Sequence, residues 1–239
     1  NFLYDEKILP INRVPNVEVI CIGNISVGGT GKTPAVHFFV KKLLAKGRKV
    51  AVVSRGYRGK RKRDPLLVSD GMVIFATPQE SGDESYLHAL NLKVPVIVGA
   101  DRYKACMFAK KHFDIDTIVL DDGFQHRKLF RDRDVVLIDA TNPFGYGHCL
   151  PRGLLREPLE GLKRAQAIVL TKVDQAPAGE LAVTKKKLEA LIPNVPVAET
   201  IPQPRALYEL SHWLTADQPQ APDAELGRPV LAATGIGNP

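Results

Sequence analysis

Eight consecutive residues carry the clearest chemical signal in this chain: Ser26, Val27, Gly28, Gly29, Thr30, Gly31, Lys32 and Thr33. Glycines allow a backbone to wrap closely around an anion, with successive N–H groups turned inward as donors. A lysine followed by a hydroxyl residue suits phosphate and its metal. Lys32 would reach the β- and γ-phosphates of a nucleotide, and the Thr33 hydroxyl would hold Mg2+. Ser26 stands where the pattern G-x-x-x-x-G-K-[ST] has its first glycine. A glycine-rich turn with a chance Lys-Thr pair would look the same in isolation, so the flanks decide. An apolar run from Val17 to Ile22 reads as a strand before the loop, and Val36, Phe39, Val40, Leu43 and Leu44 come after it at helical spacing. Strand, loop and helix in that order set the helix's positive N-terminal end against bound phosphate. This is a nucleotide site.

A second group of residues suits the metal. Asp121 and Asp122 end the apolar run that begins at Asp116. Mg2+ on a nucleotide prefers oxygen ligands, and a strand end fixes a carboxylate opposite Thr33. Without the glycine loop the pair would read as solvated turn residues before Gly123. Asp83 and Glu84 come directly after Gly82 at a helix start. Helix capping accounts for such acids; the alternatives are a base for a substrate hydroxyl and a further carboxylate in the metal shell. Spacing does not choose among the three. Thr171-Lys172-Val173-Asp174 differs by one residue from the N-K-x-D segment with which GTPases read guanine, and a polar strand-to-helix turn explains it as well. His126 lies just past the acidic pair, and His148 and Arg152 lie in a loop rich in Gly, Pro and Arg. Each has a structural reading beside a functional one, in which an arginine near a γ-phosphate stabilises transferring charge.

The elements that must hold these residues alternate along the chain. Strands are expected at 17–22, 49–54, 95–98, 116–122, 135–139 and 167–170, with helices at about 32–46, 81–90, 102–113 and 180–191. Ser69-Asp70-Gly71 between two apolar runs predicts a hairpin over 66–75. The fold class is therefore α/β, a doubly wound, mostly parallel sheet of the P-loop NTPase type with a small hairpin insertion. Residues 202–228 read as a surface excursion before a strand at 229–233. A net charge of +7 favours an anionic partner such as a nucleotide, nucleic acid or acidic membrane surface. Much of that charge sits in Arg55–Arg63, with six basic residues in nine, at the carboxyl end of a strand beside the phosphate loop. The three cysteines lack metal-like spacing, and no apolar run approaches the roughly 20 residues needed to span a bilayer.

Taken together, these residues resemble the tetraacyldisaccharide 4′-kinase family, the lipid A 4′-kinases of Gram-negative bacteria. The resemblance rests on Gly23 to Pro34, Ser54-Arg55-Gly56-Tyr57, Gly82-Asp83-Glu84 and Asp101-Arg102-Tyr103. It continues through Asp121-Asp122-Gly123-Phe124-Gln125-His126, Leu150 to Glu157, and Gly235 to Pro239. It implies ATP and Mg2+ as cofactors and an acylated disaccharide phosphate lipid as acceptor. It also implies an anionic membrane surface as partner, with no nucleic acid expected. The place of action would be the cytoplasmic face of the bacterial inner membrane, peripheral for this chain. Asp83 would be the catalytic base, acting with Lys32, His126 and Arg152; Thr33, Asp121, Asp122 and Glu84 would serve the metal. A serine at position 26 is normal for the family. Residues 1–17 match the segment after an N-terminal anchor helix, 18–200 form the kinase core, and 201–239 begin a C-terminal portion whose remainder is expected elsewhere. A GTPase and a nucleotide-gated nucleic-acid-binding protein are the alternatives, the former drawing on Thr171–Asp174 and the latter on the basic loop.

Overall fold

In the computed structural model, Tyr4 and residues 8–203 are described. Their strands are β1 (Glu18–Asn24), β2 (Val50–Ser54), β3 (Leu66–Asp70), β4 (Pro95–Val98), β5 (Thr117–Asp121), β6 (Arg133–Asp139), β7 (Ala167–Thr171) and β8 (Val197–Glu199). The helices are α1 (Lys32–Ala45), α2 (Pro78–Ser81), α3 (Asp83–Asn91), α4 (Arg102–His112) and α5 (Glu180–Leu191). One sheet runs in the order β3-β4-β2-β5-β1-β6-β7-β8. Its pairings are parallel except for β3 against β4.

Strand β1 explains the architecture. Its residues are almost wholly buried, and successive side chains face opposite ways. Val19 and Cys21 join one apolar cluster with Ala105, Cys106 and Ala109 of α4 and Leu188 of α5. Ile20 and Ile22 join another with Val36 and Val40 of α1 and Ala89 of α3. The strands β2 and β5 divide their residues between the same two clusters. Helices on both faces make the sheet doubly wound, and covering both faces is why its strands read as unbroken apolar runs. Fully burying one such side chain contributes roughly 1.5–3 kcal/mol.

The hairpin forms differently from the expectation. β3 spends one edge on β4, and the returning chain makes one isolated bridge, Ser69 to Ile74, in place of a second strand. Asp70 Oδ1 accepts the N–H groups of Met72 and Val73 at 2.8 and 2.7 Å, which bends the return sharply. Thr77 and Glu80 then start α2 with a capping box, leaving no length for a ladder. β8 has no counterpart in the expected elements. The stretch before β1 is packed: Asn12 N–H donates to Lys128 O, Phe130 N–H donates to Asn12 O, and Val14 and Val17 are buried. Among the described residues, no helix is long and apolar enough to cross a membrane. The strand expected at 229–233, and all but Pro202 and Gln203 of the excursion before it, lie outside the described residues.

Candidate active site

The phosphate loop leaves the carboxyl end of β1, where Asn24 is fully buried. Its Nδ2 donates to Ser26 O at 2.7 Å and to Thr30 Oγ1 at 2.9 Å, tying the two halves of the loop together. Val27 N–H donates to Leu154 O at 2.8 Å. From below, Gln125 Nε2 donates to Asn24 O at 2.8 Å and to Glu157 Oε1 at 2.9 Å, while Arg164 Nη2 holds Glu157 Oε2 at 2.7 Å. Glu157 is buried with both oxygens partnered, so its carboxylate braces the loop through Gln125. α1 begins at Lys32 with Gly31 as its N-cap, and no side chain caps it. Its first-turn N–H groups are thus left to an anion in the loop.

β5 is hydrogen-bonded beside β1, with Asp121 in register with Ile22. The Asp121 side chain is only 3% exposed. Its Oδ2 lies 3.0 Å from His88 Nε2, and its Oδ1 is buried without a hydrogen-bond partner among the described residues. Asp122 differs. Both of its oxygens accept from Arg156 Nη1, at 2.8 and 2.9 Å. Of the two carboxylates, Asp121 is the one with an oxygen to spare.

α3 brings the other acids to this end of the sheet. Gly82, not Asp83, occupies the N-cap position, so capping does not explain Asp83. Asp83 stands exposed in the first turn. Glu84, beside it, is exposed too, yet its carboxyl has its pKa raised, first by desolvation and then by the neighbouring Asp121 charge, with Lys32 pulling the other way. That pattern places the phosphate-loop lysine, Asp121 and Glu84 in one electrostatic neighbourhood. Among the described residues, no three His, Cys, Asp or Glu side chains converge to hold an ion by themselves. Mg2+ that arrives with a nucleotide needs only one or two protein carboxylates, because phosphate oxygens and water fill the rest of its shell. The unpartnered Asp121 Oδ1, with Glu84 close enough to feel its charge, fits that requirement.

The remaining candidates divide between the site and its supports. His126 is half-buried, its Nε2 lacks a partner among the described residues, and burial together with the nearby Arg102 charge lowers its pKa to about 4. At neutral pH it is an uncharged imidazole. Arg152 is exposed on the turn after Pro151, while Arg156 is the arginine that reaches the acidic pair. Thr171 Oγ1 donates to Thr30 O at 3.2 Å, so Thr171 braces the phosphate loop, while Lys172 Nζ pairs with Asp139 Oδ2 at 2.9 Å at the end of β6. In the basic loop, Arg61 turns inward to Arg55 O and Asp64, leaving Arg55, Arg58, Lys60, Lys62 and Arg63 exposed. Reasoning from spacing gave no role to Asn24, His88, Arg156 or Glu157. Only His88 left a local signal, four residues after Glu84 and so on its face of the helix.

A phosphate loop between a buried strand and a helix, beside an acid-tipped parallel strand, defines the P-loop nucleoside triphosphatase class. The family model described as LpxK, tetraacyldisaccharide-1-P 4′-kinase, matches residues 1–239, and the chain belongs to that family. It is 43% identical to the tetraacyldisaccharide 4′-kinase of Halothermothrix orenii over 99% of this chain and 63% of the relative. With that of Anaeromyxobacter sp. strain Fw109-5 it shares 50% identity over 73% of this chain and 47% of the relative. The chain thus spans about half to two thirds of the length of the curated relatives it matches. Among solved structures, LpxK from Aquifex aeolicus in complex with ATP superposes with a TM-score of 0.66 and 33% identity. The match covers 84% of this chain and 76% of that one.

Proposed function

We propose that this chain supplies the phosphoryl-transfer core of an ATP- and Mg2+-dependent kinase of lipid A biosynthesis. Its acceptor would be the 4′-hydroxyl of a tetraacylated glucosamine disaccharide 1-phosphate. The observation that carries this reading is the shared neighbourhood of Lys32, Asp121 and Glu84, with Asp83 next in line on α3. Family membership and the ATP bound to the Aquifex aeolicus relative support the same choice of donor. The loop N–H groups and Lys32 hold the triphosphate, and Asp121 Oδ1, Thr33 and Glu84 offer oxygens to the metal. Bound Mg2+ would neutralise charge on the phosphates as the γ-phosphoryl group leaves ADP. Asp83, open to an incoming acceptor, takes the hydroxyl proton as the new O–P bond forms. Neutral His126 and exposed Arg152 line the approach as further polar contacts in this reading. The five exposed basic residues of 55–63 face the anionic cytoplasmic surface of the inner membrane, where the lipid acceptor resides.

The test is transfer of label from γ-labelled ATP to the lipid disaccharide 1-phosphate by the full-length protein. Label should appear in the lipid, and Lys32→Ala should abolish it without altering the fold. Absence of labelled lipid, or equal use of GTP, would overturn the assignment.

A further inference from the structure

His88 is fully enclosed beside Asp121, with no exposed surface on its side chain. Its Nε2 meets Asp121 Oδ2 at 3.0 Å, and its Nδ1 meets His37 Nε2 at 3.0 Å, the two rings standing edge to face. His37 belongs to α1, the helix that begins with Lys32 and Thr33, and His88 belongs to α3, which begins with Asp83 and Glu84. The two hydrogen bonds therefore link the phosphate-loop helix, the acid-bearing helix and the tip of β5. An ionised carboxylate only accepts, so His88 donates from Nε2. Nδ1 then faces His37 Nε2, and which of these two nitrogens donates depends on the tautomer. That bond holds Asp121 Oδ2 and leaves Oδ1 as the buried oxygen without a partner among the described residues.

We propose that His88, backed by His37, is a positioning residue that orients Asp121 so that Oδ1 is presented to nucleotide-bound Mg2+. The inference rests on the Mg–ATP reading of the site. Groups that hold a metal-binding side chain in place typically change metal affinity by 10–100-fold when removed. Ordinary core packing would not produce that dependence on metal.

The experiment measures ATP binding to the full-length protein by calorimetry, without metal and across a Mg2+ titration. His88→Leu should need 10–100-fold more Mg2+ to reach tight ATP binding, with its metal-free ATP affinity unchanged. His88→Gln keeps a donor near the Nε2 position and should recover most of the parental Mg2+ dependence. His37→Leu removes only the backing bond on a half-buried ring and should give a smaller shift in the same direction. Parental Mg2+ dependence in folded His88→Leu overturns the proposal. Should His88→Leu fail to fold, parental behaviour of His37→Leu, or a His88→Gln shift as large as that of Asp121→Asn, overturns it instead. If the parent itself shows no Mg2+-enhanced ATP binding while Lys32→Ala loses ATP, the metal reading of the site fails rather than the role of the histidines.

Discussion

Replacing Gly82 with alanine is the sharpest perturbation of the acid-bearing helix. Gly82 has φ 82° and ψ 150°, a region that residues with a Cβ scarcely enter. Holding alanine there costs about 1–3 kcal/mol in backbone strain. An added Cβ would also fall well inside contact distance of Tyr57 O and 3.3 Å from the Gly56 carbonyl carbon. Both atoms are backbone, so no side chain can rotate aside, and overpacking of this kind costs roughly 1–3 kcal/mol more. The chain can recover part of that by moving Asp83 away from the 56–57 loop. A net loss of about 2–4 kcal/mol is expected, large against a total stability of about 5–15 kcal/mol. A displacement on the order of 1 Å at a catalytic group costs roughly 100-fold in rate. Guanidinium unfolding should show a lower midpoint at unchanged slope, and kcat should fall about 100-fold while ATP affinity holds, because the phosphate loop hangs on β1 and α1. Gly179→Ala is the control, since Gly179 has φ 81° but open space around its Cβ position. Its loss should be about 1 kcal/mol with no change in rate. A Gly82→Ala protein with parental midpoint and parental kcat would refute this account of the helix start.

Three further outcomes are expected. Asp83→Asn should lower kcat roughly 10²–10⁴-fold with little change in stability, ATP affinity or Mg2+ dependence; a parental kcat removes the base assignment. Binding of the full-length protein to anionic vesicles should weaken further with salt in the parent than in a variant with Arg58, Lys60 and Lys62 neutralised, each charge contributing about 1 kcal/mol near the surface; equal salt response in both would remove the basic loop from the membrane contact. His126 has a folded pKa of about 4, below its ordinary 6.5. The unfolded chain therefore takes up the proton first, and the stability this group contributes above pH 6.5 is lost as pH falls through that range towards 4. Denaturation midpoints of His126→Gln should change less than those of the parent between about pH 7 and about pH 4.5, and an identical change would contradict the buried neutral imidazole.

The sheet was legible because its strands are buried on both faces and announce themselves as apolar runs bounded by turn residues. Pro95–Val98 and Glu180–Leu191 fall where their sequence patterns put them. β8 was not legible: all three of its residues are exposed, so it carries no apolar pattern. Its pairing with β7 is what makes it a strand. The site divides in the same way. The phosphate loop and the Asp121-Asp122 pair are contiguous motifs, whereas the partners that distinguish Asp121 from Asp122 come from 33 and 34 residues away. Arg156 and His88 were visible as residues but not as neighbours, because only the crossover topology brings their elements to the end of β5.

That topology also explains how two adjacent acids can be given different work. Consecutive residues of a helix point about 100° apart, while residues four apart share a face. Glu84 and His88 form such a pair, and His88 is bonded to Asp121, so Glu84, though exposed, lies on the Asp121 side of α3 and feels that charge. Asp83, one step earlier, is exposed as well, and the residue four on from it is the apolar Leu87. The raised pKa of Glu84 follows from desolvation of its carboxyl and from that nearness to Asp121. An environment that separates neighbouring carboxylates in this way is what assigns acid, base and ligand roles in one site. Here Gly82 fixes where the helix starts, and the His88–Asp121 bond ties that helix to the tip of β5.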